Sequence, residues 1–473
     1  MKKNCISTLL SVCALAAATA LAADKPNILF IAIDDLRPQL GCYGEPEPIT
    51  PNIDRLAAEG TRFDRAYVCY PLCLPSRAAL NIGKRVTNNK LPDGTSGKFH
   101  DMIAVQQTLP KTLRNAGYYT AVHGKFYHGG VPKADVEAWD VPGEFWIDDI
   151  HDWSPEIESK MVEWGGRQDQ MDKMNQDRKG NGALVWASID GPDNLLNDGK
   201  VADKTIELLR NRPKNRPFFI VAGFSRPHMP WVAPKKYFDM YPEDAGKLAY
   251  VPEGRRVLDK QDLKSGVGAN GEWNEGVTDE QAQKLIRGYM ASTTYVDAQV
   301  GKLLAELKVL GLEKDTIVVL WGDHGYHLTD HGLWRKNTPY HVSLRCPLIF
   351  RVPGTKSGQV VERVVENIDI YPTLLELAET SVPSCVQLDG KSLVPLLKNP
   401  VANIGGEAFT SAGNHYGLVT DQYRFTILKN NKGYKLFDLK KDPGEWNNLA
   451  EDPKYKELIE KYAAKVRTAW GLN

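Results

Sequence analysis

The chain has 473 residues with 59 basic and 59 acidic side chains, a balance that argues against a nucleic-acid binder with a basic face over the whole molecule. Its 42 % apolar and 25 % charged residues match an ordinary soluble globular protein and exclude disorder, a collagen-like repeat and a coiled coil. A chain of this length predicts two or three domains, or one large α/β domain with an appendage.

Lys2 and Lys3 precede an apolar stretch from Ile6 to Ala18, and Ala20-Leu21-Ala22 follows as a small-x-small cleavage pattern. Residues 1–22 therefore read as a bacterial-type secretory signal, and the mature protein is expected to be secreted or periplasmic. Ser7, Thr8 and Ser11 interrupt the stretch, which argues against a stable membrane anchor. Beyond the signal the cysteines are Cys42, Cys69, Cys73, Cys346 and Cys385. An odd number in an oxidising compartment leaves at least one thiol without an internal partner.

Ile28–Ile33 is a short, nearly continuous apolar run that reads as a buried parallel strand. Asn52–Gly60 and Leu109–Ala116 carry helical patterns. Residues 130–215 are rich in Asp, Asn, Gly and Trp with weak periodicity, and they read as a long excursion off the sheet rather than a second core. Phe218–Ala222 and Thr316–Trp321 repeat the strand pattern on either side of a long helical stretch, Asp279–Leu310, and Pro347–Val352 adds a fourth run. Alternating strands and helices predict an α/β sheet with helices on both faces. The text from Lys398 to Gly406 reads as a linker, followed by short antiparallel strands at Tyr416–Val419, Phe425–Leu428 and Tyr434–Leu439 and a helix at Pro453–Trp470. The expected division is thus a signal at 1–22, a large domain at 23–403 and a smaller C-terminal α+β subdomain at 404–473.

Ligands of open parallel sheets collect beyond the carboxyl ends of the strands. There the chain places Asp34-Asp35 after the first run and Asp323-His324 after the third. Carboxylates gathered at the ends of apolar strands are costly unless a cation neutralises them. With mainly oxygen ligands, Ca2+ fits better than Zn2+, and Mg2+ or Mn2+ stay open. Such Asp pairs also serve as helix caps or solvated turns.

Cys73-Leu74-Pro75-Ser76-Arg77 runs on through Gly83 and Lys84, and Asp34 opens D-D-L-R-P-Q-L-G-C-Y-G. With these segments the sequence resembles the formylglycine-dependent sulfatases. T-P-N-I-D-R-L-A-A-E-G at 50–60, G-Y-M-A-S-T-T-Y-V-D at 288–297 and F-D-L-K-K-D-P-G-E-W-N-N-L at 437–449 extend the resemblance over nearly all of the mature chain. G-K-F-Y-H at 124–128, R-P-H-M-P at 226–230 and the run from Gly322 to Lys336 are most similar to the iduronate-2-sulfatase branch, to which choline sulfatases are related.

The resemblance implies an alkaline-phosphatase-like fold, with a large mixed, mostly parallel sheet. It implies that Cys73 is oxidised to formylglycine by a separate maturation enzyme, and that Asp34, Asp35, Asp323 and His324 hold Ca2+ together with the modified Cys73. It further implies that Arg77 stabilises the formylglycine hydrate, Lys125 and Lys336 contact sulfate, His128 orients the hydrate and serves in elimination, and His228 protonates the leaving alcohol or contacts sulfate. The substrate class it implies is a sulfated carbohydrate, led by a 2-O-sulfated uronic acid, with choline and aryl sulfates as alternatives.

Ile82 departs from the family by standing where Thr is usual. Cys69 lies one helical turn from Cys73, so a disulfide there would block the oxidation. His123, His331 and His415 either join the site or are structural. A phosphate or phosphonate hydrolase of the same superfamily is the rival enzyme, although it would more often use Thr or Ser and His-rich Zn2+ ligands. A non-catalytic binding protein for sulfated glycans is the rival from another class.

Overall fold

A computed structural model of the chain describes residues 25–86, 107–143, 154–177, 183–256, 272–413, 415–428 and 433–472. The expected signal at 1–22 lies outside the described residues. Among the described residues no helix is long and apolar enough to cross a membrane.

The main sheet is built from β1 (Asn27–Ile33), β2 (Thr61–Phe63), β3 (Tyr119–Gly124), β4 (Phe218–Phe224), β5 (Thr316–Gly322), β6 (Leu348–Arg351) and β7 (Gln359–Val361). Its order is β7-β2-β6-β5-β1-β4-β3. The pairs β1-β5, β1-β4, β3-β4 and β2-β7 are parallel, while β6 runs antiparallel to both β5 and β2. The sheet is therefore mixed and mostly parallel, as expected. The apolar runs are continuous because both faces are covered. Ile28, Phe30 and Ala32 enter one core, whereas Leu29, Ile31 and Ile33 enter the other.

The covering helices include α1 (Pro51–Glu59), α2 (Cys73–Ile82), α3 (Leu109–Asn115), α4 (Asn197–Asn211), α5 (Asp279–Val309) and α6 (Ile370–Leu377). α1, α4 and α5 pack on one face through residues such as Leu56, Val201 and Val300. α2, α3 and α6 pack on the other through Leu80, Leu113 and Leu374.

Part of the expected excursion at 130–215 belongs to this layering, because α4 lies on the main sheet. Another part does form a core. Met161–Gly166, Val185–Ile189 and Trp231–Pro234 make a small sheet, and Leu184, Trp186 and Trp231 pack against Leu285, Ile286 and Tyr289 of α5. The weak periodicity had a physical cause: these segments pair with residues far along the chain and bury aromatic rings instead of an aliphatic stripe. β3, with its T-A-V-H-G text, also escapes a search for long apolar runs.

The C-terminal part is a four-stranded antiparallel sheet, β8 (Glu407–Ala412), β9 (His415–Thr420), β10 (Tyr423–Ile427) and β11 (Tyr434–Asp438), with helix α7 (Lys456–Trp470) packed on it. β8 was not among the expected strands.

Candidate active site

Ile33 of β1 lies opposite Gly322 of β5, so the residues that follow emerge side by side on one sheet edge. The Asp323 N–H donates to the Ile33 carbonyl at 3.1 Å, and the Asp35 N–H donates to Asp323 Oδ1 at 3.1 Å. On the other side of β1, β4 leads into Arg226-Pro227-His228 and β3 into Lys125, whose N–H donates to the Gly223 carbonyl at 2.8 Å. Cys73 is the first residue of α2, beneath this edge. Parallel pairing in register thus delivers Asp34, Asp35, Lys125, His228, Asp323 and His324 to one place, although they are spread over nearly 300 residues of sequence.

Cys73 Sγ lies 3.3 Å from His324 Nε2. His324 Nε2 in turn lies 3.4 Å from Asp35 Oδ1 and 3.5 Å from Asp323 Oδ1. The ligand atoms of Asp34, Cys73, Asp323 and His324 all lie within 4.8 Å of one another, as do those of Asp34, Asp35, Cys73 and His228. All three carboxylates and His324 are fully buried.

His324 Nδ1 donates to the Gly325 carbonyl at 2.9 Å, which leaves a lone pair on Nε2 aimed at the carboxylates. Burial, then Lys336, pushes its imidazole well below the usual range, so the ring is neutral. With all three acids ionised, acceptor atoms face acceptor atoms across less than 4 Å, and burial together with Asp34 raises Asp323 well above its ordinary value. That arrangement is repulsive on its own and fits a hard divalent cation bound by Asp34, Asp35, Asp323 and His324.

The positive side chains sit around the acids. Arg77 Nε donates to Asp323 Oδ2 at 2.9 Å and its Nη2 lies 3.4 Å from Asp34 Oδ1. Lys125 Nζ pairs with Asp34, and Lys336 Nζ donates to Asp35 Oδ2 at 2.7 Å. Burial alone would raise Asp34, but Lys125, His228 and Arg77 outweigh it and hold the carboxyl well below its ordinary value. Burial opposes the charge on Lys336, yet Asp35 overcomes it and raises the ammonium well above its ordinary value. At Cys73 burial and then Asp34 push the thiol well up, so the sulfur is a neutral thiol and a poor thiolate nucleophile. His228 Nε2 stands 4.0 Å from Asp35 Oδ2, and its Nδ1 faces the Met229 carbonyl at 2.7 Å. His128 stands at the rim and is exposed, within electrostatic reach of Lys125 and Asp34. Crowding by surrounding protein and then Lys125 push its imidazole down to about 4, so the ring is neutral at pH 7.

The expected site residues therefore converge on one edge. Three other histidines have contacts of a different kind. His123 on β3 acts electrostatically on Glu207 of α4, on the far face. His331 stacks on Tyr340, with ring centroids 4.0 Å apart, and on Trp446 at 4.4 Å. His415 begins β9. Cys69 and Cys73 are both free thiols, so no disulfide blocks Cys73.

Supporting residues escaped the sequence reading. The Tyr289 hydroxyl accepts from the Arg37 N–H and donates to the Asp35 carbonyl, both at 3.0 Å. This holds Asp35 in a left-handed conformation, φ 57°. Ser76 donates its hydroxyl to the Asp323 carbonyl. Glu275, 2 % exposed, pairs with Arg335 next to Lys336 and with Arg167 at 3.3 Å. Ser76 and Tyr289 both lay in quoted family text, C-x-P-S-R and G-Y-M-A-S-T-T-Y-V-D, without being given a role, whereas a glutamate on a loop carries no signal of its neighbours.

Comparison with known proteins is consistent with this geometry. The family model described as Sulfatase matches residues 26–380, and the model described as N-sulphoglucosamine sulphohydrolase, C-terminal, matches residues 329–469. A sulfatase of Formosa agariphila is 31 % identical over 480 residues, covering 94 % of this chain and 88 % of that protein. The iduronate 2-sulfatase of Mus musculus is 30 % identical, covering 76 % and 70 %. Among solved structures, one in complex with its substrate D-glucosamine-2-N,6-O-disulfate superposes with a TM-score of 0.68 at 24 % identity, covering 95 % of this chain and 99 % of the other. The phosphonate monoester hydrolase of Agrobacterium radiobacter gives 0.71 at 22 %, covering 94 % and 95 %. These structural likenesses establish a shared fold.

Proposed function

Because the chain belongs to the sulfatase family and is a hydrolase of sulfate esters, we propose that it is a secreted or periplasmic carbohydrate sulfatase that works through formylglycine made from Cys73 and a bound Ca2+. The observation that carries this reading is the meeting of the C-x-P-S-R cysteine with a buried carboxylate cluster and its ring of cations.

Formylglycine made from Cys73 would, as its hydrate, supply one hydroxyl as nucleophile towards sulfur and a second through which sulfate could be released. Asp34, Asp35, Asp323 and His324 would hold Ca2+, which when bound would supply Lewis acidity. The chain's own groups do the rest. Arg77, one helical turn after Cys73, ties down Asp34 and Asp323 and presents positive charge to the hydrate. Lys125 and Lys336 place fixed charge where the sulfate group is held. His128, neutral at the rim, takes the proton in the release step, and His228 delivers one to the leaving alcohol.

The substrate reading is a sulfated glycan, with a 2-O-sulfated uronic acid first. The likeness to iduronate 2-sulfatase of Mus musculus supports it.

Peptide mass spectrometry of protein made in a host with a maturation enzyme tests the covalent part. A loss of about 18 Da at Cys73, the change from thiol to aldehyde, is expected. An intact thiol in that host, together with no sulfate released from a panel of sulfated glycans, choline sulfate and aryl sulfates, overturns the reading in favour of glycan binding without turnover. Faster hydrolysis of a phosphonate monoester than of any sulfate ester overturns it in favour of the rival hydrolase.

A further inference from the structure

We propose that a cavity of about 760 Å³ between the main sheet and the C-terminal sheet binds an anionic group of an acidic saccharide chain, as a second recognition site separate from the catalytic cluster. The saccharide assignment rests on the sulfated-glycan reading above; the anion preference rests on the cavity itself.

The charges lining it do not balance. Asp64 is taken by Arg62 at 2.6 Å and Asp421 by Arg363 at 2.6 Å. Arg65 and Arg345 also line the cavity, and among the described residues neither has a carboxylate within ion-pair distance. Arg65 donates to the Thr420 carbonyl at 3.0 Å and to the Asp421 carbonyl, and Arg345 Nε donates to the Asp64 carbonyl at 2.6 Å. Both guanidinium groups are thus fixed in place by neutral carbonyls and keep their charge uncompensated. Lys440 adds a third positive group at the open side, against Glu362 as the remaining acid. The imidazole of His341, which shares the cavity, is held well below its ordinary range by burial and then by Arg345 and Arg65, as a positive local potential requires.

Topology sets the distance to the catalytic cluster. β2 and β7 run in the same direction as β1, so residues 64–65 and 362–363 emerge on the edge that carries Asp34 and Asp323. They lie two and three strands beyond β5, about 10 to 15 Å at ~4.8 Å per strand. Arg345 and Lys336 also stand on one short segment, nine residues apart. A short oligosaccharide laid along this edge therefore reaches both positions, and preorganised guanidinium groups suit sulfate and carboxylate oxygens.

The test is equilibrium binding of a heparin octasaccharide and of dextran sulfate to full-length protein carrying Cys73→Ala, which removes turnover from the measurement. Arg345→Ala and Lys440→Ala should each weaken binding roughly tenfold, the size expected for one charge-assisted contact. Lys308→Ala, on the exposed surface of α5, should leave binding unchanged. A lost melting transition would identify an Arg345→Ala protein that fails to fold, and the exposed Lys440→Ala then carries the decision. Affinities within about twofold of the parent for the folded variants, or no binding of either glycan by the parent, overturn the proposal. Inorganic sulfate bound as tightly as the octasaccharide also overturns it and marks a free-anion site. Sulfate release from an aryl sulfate, measured separately on protein with Cys73 intact, reports on the catalytic reading alone.

Discussion

A thiol only 4 % exposed, facing three buried carboxylates, is badly placed to ionise. Burial opposes a thiolate, and the neighbouring carboxylates, Asp34 first, oppose a further negative charge. The residue is well placed for chemistry that starts from a neutral group, which is what an aldehyde hydrate provides. Cys73→Ala is expected to lower sulfate release by more than about a thousandfold in a steady-state assay, because a lost nucleophile is not replaced by its neighbours. Thermal melting should change little, since the sulfur makes one polar contact, with His324. Activity within tenfold of the parent would mean that position 73 is not the nucleophile.

At the level of elements, two loop and helix contacts position the site without touching it. Asn274 and Glu275 both adopt left-handed conformations, φ 52° and 55°, which keep the Glu275 carboxylate between Arg335 and Arg167, while Trp334 Nε1 donates to the Asn274 carbonyl at 3.0 Å. This fixes the chain on the N-terminal side of Lys336. Glu275→Gln should cost roughly 10- to 100-fold in kcat/KM for a sulfate ester, the order expected when a positioned group drifts by about 1 Å, with partial rescue in Glu275→Asp.

Helix α1 has a different dependence. Its N-cap Thr50 makes no side-chain cap, and Asp297 of α5 accepts from the Ile53 N–H at 2.8 Å, the Asn52 N–H at 3.1 Å and Asn52 Nδ2 at 2.8 Å. Burial nevertheless raises Asp297 to about 6. The unfolded chain releases this proton near 3.9. Between those values the folded state binds more protons, so this residue's contribution to stability falls as pH rises from about 4 to 6 and is level above that. Melting temperatures across pH 4 to 7 should show this slope in the parent and lose it in Asp297→Asn. Asp297→Ala should destabilise by about 1 to 3 kcal/mol through two helix N–H groups left without an acceptor.

For the whole molecule, the sheet edge that carries Asp34, Asp35 and Asp323 gathers a concentration of buried charge. Asp34, Asp35 and Asp323 repel one another, and even with Arg77, Lys125 and Lys336 beside them Asp35 is raised to about 6 and Asp323 well above its ordinary value. Removal of divalent ions with a chelator should abolish sulfate release and lower the melting temperature, and added Ca2+ should restore both. A ligand at a hundred times its Kd stabilises by about 2.7 kcal/mol, so the shift is measurable by calorimetry. An unchanged melting temperature and full activity after exhaustive chelation would remove the metal from the proposal.

The sequence by itself determined the sheet's central strands and the chemical groups at their ends. Ile28–Ile33, Phe218–Ala222 and Thr316–Trp321 are apolar on both faces because both faces are covered, and polar residues can follow only where the strand leaves the core. It also held the C-x-P-S-R segment, whose spacing puts Cys73 and Arg77 on one side of a helix. Tertiary structure alone decided what surrounds them. The register that sets Ile33 beside Gly322, the Tyr289 hydroxyl beneath Asp35, the Glu275 clamp beside Lys336 and the carboxylate from α5 that caps α1 all join residues tens to hundreds of positions apart. Local pattern has no access to such pairs, because the interaction exists only once the chain has closed the distance between them.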